Sequence, residues 1–483
     1  MGNSPHTVSI HILDDDSLLN IFCLYRLDFL GEETGGTGRL LGGTQWVGGR
    51  WWYKLAHICQ RWRNLMLGSA SHLRLSLVCT NRTPVANMLA HSPPLPLTVD
   101  YYGSDGITAE DEEGLMLALE QRNRVRHLHL CFRVWKLQKL VMAIDREFPI
   151  LEYLFVTSPI KDSTSLMLCS TLQAPKLKHL ALWGFTYPIG PQLHPTAVGL
   201  VTLHLEIVHP FAYFQPNILL QWISFMPQLE MLFISFSFTN PDRDVEMPVT
   251  TPITLPNLRW LWFEGVSAYL EAIVCRVTAP RLKSMQIEFF KQLTFSVPHL
   301  VKFMNTTEIL RFNSAMLCCY DEKIGVAMCL YGAETYVFGV SVGGWPLSRQ
   351  VSSMAQILNP LSQVFSPVEH LTLRGKIYSL SSVEHNEFDR IEWRRLLRSF
   401  NNVKTLHVEG LLVEELSRCL RLEDGELPLE LFPELQELTY TRSIETSDPF
   451  TSFIEARQYA GHPVTLIRHG DNHTIRRHAL RIP

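Results

Sequence analysis

Three residues alternate along one short stretch of this chain in a way that invites a metal: His127, His129 and Cys131. At period two they share one face of a strand, and imidazole and thiolate are both zinc ligands. No fourth ligand stands near them, so the alternation reads as a row of surface side chains. The pairs His11/His57 and His473/His478 lack metal spacing as well. A glycine run begins at Gly35 (GGTGRLLGG), but the Gly-Lys-Ser/Thr that leads a phosphate cradle into its helix is missing. The chain holds no Gly-x-Ser-x-Gly elbow and no His-Glu-x-x-His. Acidic clusters at Glu110 to Glu113 and at Glu414-Glu415 read as solvated faces or helix starts. The expectation is a binding protein rather than an enzyme, with no metal and no cofactor.

Composition narrows the class further. The 483 residues are 46% hydrophobic and 19% charged, a globular balance, and so long a chain implies several domains or an elongated repeat. The net charge of -4 comes from interspersed acids and bases, which argues against a nucleic-acid partner. Ten cysteines without a Cys-x-x-Cys pair read as reduced thiols in a cytoplasmic or nuclear protein. No basic-then-apolar secretory segment lies in Met1 to Asp16. The apolar stretch Ile324 to Trp345 contains Glu334 and five glycines, and it reads as one buried strand with its turns, not a membrane span.

Such residues are positioned by a repeat. A Pro, then Leu-x-x-Leu-x-apolar, recurs as FPILEYLFV from Phe148, APKLKHLAL from Ala174, MPQLEMLFI from Met226, LPNLRWLWF from Leu255, APRLKSMQI from Ala279 and FPELQELTY from Phe432. Weaker copies begin at Val125, Leu200, Thr307, Val368 and Val403, and Tyr336-Val-Phe fits the same slot. The first apolar residue of each core falls 23 to 29 residues after the last as far as Tyr336, and 32 to 35 beyond it. Leu-x-Leu puts both apolar side chains on one face of a short strand. A crossover, helical in several copies and stopped by the Pro, returns the chain to the next parallel strand. Asn217 to Phe225 is one such expected helix, and Asp448 to Ala460 with the strand Pro463 to Ile467 reads as a terminal cap. One unit cannot bury its own apolar face, so units must stack.

The residue between the two apolar positions faces away from that core. His129, Phe155, Ala181, His204, Phe233, Trp262 and Arg311 are among these positions. Large aromatics there imply either a target-binding face, with His129, Phe155, His204, Phe233, Trp262 and Arg311 as its contacts, or a surface covered by another part of the chain.

A different pattern precedes the repeats. After Asp14-Asp15-Asp16, an N-cap signal, Leu18, Ile21, Phe22 and Tyr25 form one helical stripe. Leu55, Ile58, Cys59 and Trp62 repeat that spacing. Between them, residues 28–49 read as a glycine-rich flexible insertion.

The stretch ILDDDSLLNIFCLYR…WWYKLAHICQRWRNLMLGSASHLRLSL resembles an F-box, with Ile58-Cys59-Gln60-Arg61-Trp62 its most specific element. More narrowly it resembles the F-box proteins that fungi carry in large numbers, often followed by divergent leucine-rich repeats. Asp14 stands where that family usually has a Pro, and the insertion separates the two helices. The resemblance implies an α/β architecture: a helical F-box over residues 1–80, connecting or first repeat units over 81–120, and a leucine-rich-repeat-like solenoid with a C-terminal cap over 121–483. It implies docking on a Skp-type adaptor, and through it a cullin, by Leu13, Leu18, Leu19, Phe22, Leu55, Ile58, Cys59 and Trp62. The function so implied is a substrate-receptor subunit of a Skp–cullin–F-box ubiquitin ligase that binds an unidentified protein target, without nucleic acid or membrane. The alternatives are a repeat scaffold with a degenerate F-box that does not serve ubiquitination, and a repeat domain that binds a small ligand or peptide.

Overall fold

From Leu128 to Met285, and again from Leu371 to Leu438, the Leu-x-Leu cores lie in strands, each burying its apolar face. The computed structural model describes residues 12–31, 50–103, 107–133, 137, 140, 143–144, 146–158, 172–184, 198–207, 213–236, 245, 251–290, 292–307, 312–320, 323–332, 336–344, 347–376, 387–410, 412–422, 429–441 and 449–469. The chain divides into two units, Met1–Gly199 and Leu200–Arg481. Both are mixed α/β, with mostly parallel strands.

The first unit opens with helices α1 (Asp15–Gly31), α2 (Trp51–Ala56) and α3 (Gln60–Gly68). Five strands follow, each parallel to the last: β1 (Leu77–Thr80), β2 (Leu97–Gly103), β3 (Val125–Phe132), β4 (Tyr153–Thr157) and β5 (His179–Trp183). Helix α4 (Val85–His91) joins β1 to β2, and α5 (Ala109–Glu120) leads toward β3. Thr108 and Asp111 cap α5 reciprocally, and the Asp111 carboxylate also accepts the Arg82 N–H at 2.5 Å.

In the second unit the sheet runs β6 (Thr202–Ile207), β7 (Met231–Phe236), β9 (Trp260–Gly265), β11 (Ser284–Phe290), β14 (Phe338–Gly343), β13 (Lys323–Cys329), β12 (Ser314–Tyr320), β15 (His370–Lys376), β16 (Thr405–Glu409), β17 (Glu437–Thr441) and β18 (Thr465–His469). A two-stranded parallel pair, β8 (Ile253–Thr254) and β10 (Val277–Thr278), lies apart. Crossovers carry α6 (Pro216–Ile223), α7 (Ser267–Val274), α8 (Pro298–Thr306), α9 (Leu347–Leu358), α10 (Ser362–Phe365), α11 (Glu387–Leu397) and α12 (Leu412–Leu420), and α13 (Thr451–Tyr459) precedes β18. These helices pack on the Leu-x-Leu face; Tyr269 of α7, for example, sits among Phe236 and Phe263. Pro298 opens α8, whose next two N–H groups, on His299 and Leu300, both donate to the Glu271 carboxylate of α7 at 2.8 Å.

The recurring Pro does more than stop a helix. In all six full copies it is the second residue of a tight turn closed by the N–H of the following Leu on the carbonyl before the Pro, as in Leu229 to Met226 and Leu435 to Phe432. At strand entry, one carbonyl of the preceding unit accepts two successive N–H groups: Glu152 from Lys178 and His179, Glu230 from Arg259 and Trp260, Glu369 from Lys404 and Thr405. The side chains at these entry positions pair across units, Glu369 with Lys404 at 2.8 Å and Glu230 with Arg259 at 3.7 Å. Being exposed, such pairs fix register more than they stabilise.

Three expectations need correction. Ile324 to Trp345 forms two strands rather than one, and β13 runs antiparallel to both neighbours. A two-residue connection after Tyr320 turns the chain back at once, which suits only an antiparallel pair. The core position of β14 is then Phe338, opposite Met285, and not Tyr336. Finally, α1 continues through Asp28 to Gly31, where the insertion was expected to begin, and the rest of that insertion lies outside the described residues.

Candidate partner-binding surfaces

The helical module closes a small core of its own. Leu18 and Phe22 of α1 and Trp62 and Met66 of α3 are all buried, and the Phe22 and Trp62 rings contact edge to face at 5.0 Å. Asp14 caps α1, accepting the Ser17 N–H at 2.7 Å, and this bond holds its carboxyl below the usual range. A Pro would pre-shape the helix at that point, and Asp14 caps it instead. The Cys59 thiol accepts the Trp62 N–H and so caps α3. Arg61 joins the two helix starts, donating to Asp15 and to the Leu13 carbonyl, each at 2.7 Å.

Of the expected adaptor contacts, Leu18, Phe22 and Trp62 therefore lie inside. Leu13, Leu19, Leu55 and Cys59 are half-buried, and Ile58 is 56% exposed. The solvent side of α1 presents Ile21, Leu24 (61% exposed) and Tyr25, with Ile12 exposed just before the helix. None of these four was in the expected contact set. The signal was available, since SLLNIFCLYR is apolar on more than one side, which a helix with a single buried stripe does not need.

On the first unit's sheet, the face opposite the leucines is polar and mostly closed. His129 donates or accepts at Nδ1 with Asp100 at 2.7 Å, both side chains being buried. Phe155 stands edge-on to His129 at 4.5 Å and to Trp183 at 5.1 Å. His129 and Phe155, candidates for the target-binding face, are thus buried against one another and their neighbours. His127 lies against Thr98 at 3.2 Å, and burial, with Arg126, His179 and Arg74 nearby, lowers its pKa to about 3. Burial and Asp100 push the Cys131 thiol up. His129 Nδ1 is bonded to Asp100, and among the described residues no group of three His, Cys, Asp or Glu is placed to hold a metal.

The corresponding face of the second unit carries a ring stack. His204 lies 3.8 Å from Phe233, and Phe233 stacks on Trp262 at 5.1 Å with planes 19° apart. His204 is buried, which drops its pKa to about 3, while Phe233 and Trp262 are half-buried. The row continues to Gln286, whose amide lies across Gly339 where any Cβ would collide with it. Further along, Glu409 joins Arg374 at 2.7 Å and His407 at 3.3 Å. Arg311 lies outside the described residues; β12 begins after it, with Met316 in register with Thr372. Each of the described cysteines is a free thiol, and among the described residues no helix is long and apolar enough to cross a membrane.

Neither a scan of the chain against protein-family models nor a search of curated proteins returned a match.

Proposed function

We propose that this protein is a substrate-receptor subunit of a Skp–cullin–F-box ubiquitin ligase. In this reading the N-terminal helices dock on a Skp-type adaptor, and the Leu-x-Leu units form a leucine-rich-repeat-like solenoid that holds a protein target. The chain then performs no catalysis itself and works in the cytoplasm or nucleus.

The observation that carries the reading is the exposed apolar side of the helical module. Leu18, Phe22, Trp62 and Met66 already satisfy its interior, yet Ile21, Leu24, Tyr25 and Ile58 remain in water. Tyr25 also meets the Trp51 ring at 6.3 Å, whereas Leu24 and Ile58 lie mostly in water, and large exposed apolar groups on one small module mark a docking surface. Their place beside Ile58-Cys59-Gln60-Arg61-Trp62 agrees with the resemblance drawn from the sequence.

The test is a pull-down of the purified full chain with a Skp adaptor, beside a Leu24→Asp, Ile58→Asp variant. Both positions are exposed, so the variant should unfold at the temperature of the parent. The expected result is adaptor capture by the parent and none by the variant. A folded parent that captures no adaptor, or a variant that captures as much, overturns the proposal.

A further inference from the structure

Cys23 of α1 stands apart from the other described cysteines. Its thiol lies 3.8 Å from Nε2 of His72, on the turn that follows α3; the thiol is half-buried and His72 is exposed. Arg26, three residues further along α1, donates to the Leu73 carbonyl at 3.3 Å, so a guanidinium lies beside the same turn. Elsewhere burial closes the thiols off. It pushes Cys79 and Cys419 up to about 12, and it raises Cys131, Cys275 and Cys329. The Cys59 sulfur accepts the Trp62 N–H at the start of α3.

We propose that Cys23 is a site of reversible thiol modification, where a small anionic disulfide of the glutathione class forms a mixed disulfide with the chain. The attacking species is a thiolate, and an imidazole within reach takes the thiol proton as the sulfur attacks. Cys23 Sγ bonds to one sulfur of the reagent and the reagent's own S–S bond breaks. The leaving thiolate carries off that bond's electron pair and takes the proton from His72. Cys23 is thus oxidised while half of the reagent is reduced to a free thiol, and excess thiol runs the exchange backwards. The Arg26 guanidinium gives the carboxylates of such a reagent a cation close by.

The position of Cys23 gives the modification a consequence, which rests on the proposed function. Residues four apart share one side of a helix, so Cys23 follows directly on Leu19, a residue that the resemblance assigns to adaptor docking. Leu24, next along the chain, is 61% exposed. A tripeptide attached to Cys23 is bulkier than these leucines and brings net negative charge to an apolar docking side. Adaptor capture therefore falls while the chain is modified and returns when it is reduced.

The test treats the purified full chain with glutathione disulfide and follows each cysteine by peptide mass mapping. Expected is a glutathione mass on Cys23, removed by dithiothreitol and gained at least about tenfold faster than on Cys275 and Cys329, which are also half-buried. His72→Gln, at an exposed position, should slow the Cys23 reaction by at least about tenfold. Adaptor pull-down should fall by about tenfold on treatment and recover on reduction, whereas Cys23→Ser should capture equally in both states. The site is overturned by a Cys23 rate no greater than those of Cys275 and Cys329, or by one that His72→Gln leaves unchanged. The gating of capture is overturned by equal capture before and after Cys23 is modified. A reduced parent that captures no adaptor removes the proposed function and the gating together, and the mass mapping still decides the site.

Discussion

Arg457 on α13 is fully buried, and its guanidinium ties down the turn that leads into β17. Nη1 donates to the Phe432 carbonyl at 3.1 Å, and Nη2 donates to Pro433 at 3.0 Å and to Leu435 at 3.4 Å. Phe432 has φ of 52°, a left-handed conformation that a bulky residue rarely takes and that costs about 1–3 kcal/mol. The Arg457 fork holds that strained turn in place. Arg457→Met keeps most of the stem volume and removes all three bonds. At about 1.5 kcal/mol for each charge-assisted bond, the low end for these lengths, the gross loss is about 4–5 kcal/mol. Relief from burying a cation offsets part of it, leaving a net loss of about 3 kcal/mol. At about 2 °C per kcal/mol for a unit of this size, unfolding should come about 6 °C earlier in a thermal scan followed by circular dichroism. Arg457→Lys keeps the charge but cannot span the carbonyls, and it should be no more stable than the Met variant. A Met variant within about 1 kcal/mol of the parent in urea unfolding, or full rescue by Lys, would refute the reasoning.

Two further outcomes are expected. Phe22→Ala opens a cavity against Trp62 and should cost about 3–4 kcal/mol, whereas Leu24→Ser on the same helix should stay within about 0.5 kcal/mol; equal thermal shifts would contradict the inside–outside assignment of α1. The His407 hydrogen bond and Arg374 pull Glu409 down to about 2 from an ordinary value near 4.5, against the opposing effect of burial. Because its folded pKa is depressed, the stability it contributes is complete above about pH 4.5 and is lost as pH falls toward 2. Glu409→Gln should therefore flatten the fall in melting temperature between roughly pH 6 and pH 3, and an unchanged slope would count against the pairing.

Much of the strand framework was legible as text. Each FPxL or APxL phrase specifies a turn with Pro second, then a strand whose alternate residues are apolar, and from Leu128 to Met285 the strands fall where that phrase puts them. The entry residues Glu152, Lys178, Glu230, Arg259, Glu369 and Lys404 also alternate in charge from unit to unit along the sequence. Ile324 to Trp345 divides into two strands because GVAMC and FGVSVG are each good strands, and period alone does not say which way a strand runs. The short link between Tyr320 and Lys323 decides that, and it admits only an antiparallel return.

The sequence by itself determined the local elements: turns, strands, helix starts and the face on which each strand carries its leucines. These follow from backbone preferences and from periods of two and 3.6, which are properties of neighbours along the chain. Only the tertiary structure decided what water reaches. His129 and Phe155 alternate away from the leucines as expected, yet Asp100 and Trp183 close over them from other strands. Phe22 and Leu24 are both apolar residues of one helix, and the distant Trp62 packs on the first while the second stays outside. Exposure is a sum over partners far apart in sequence. For that reason the exposed apolar side of α1 and the ring stack through Phe233 and Trp262 emerge only in the folded chain.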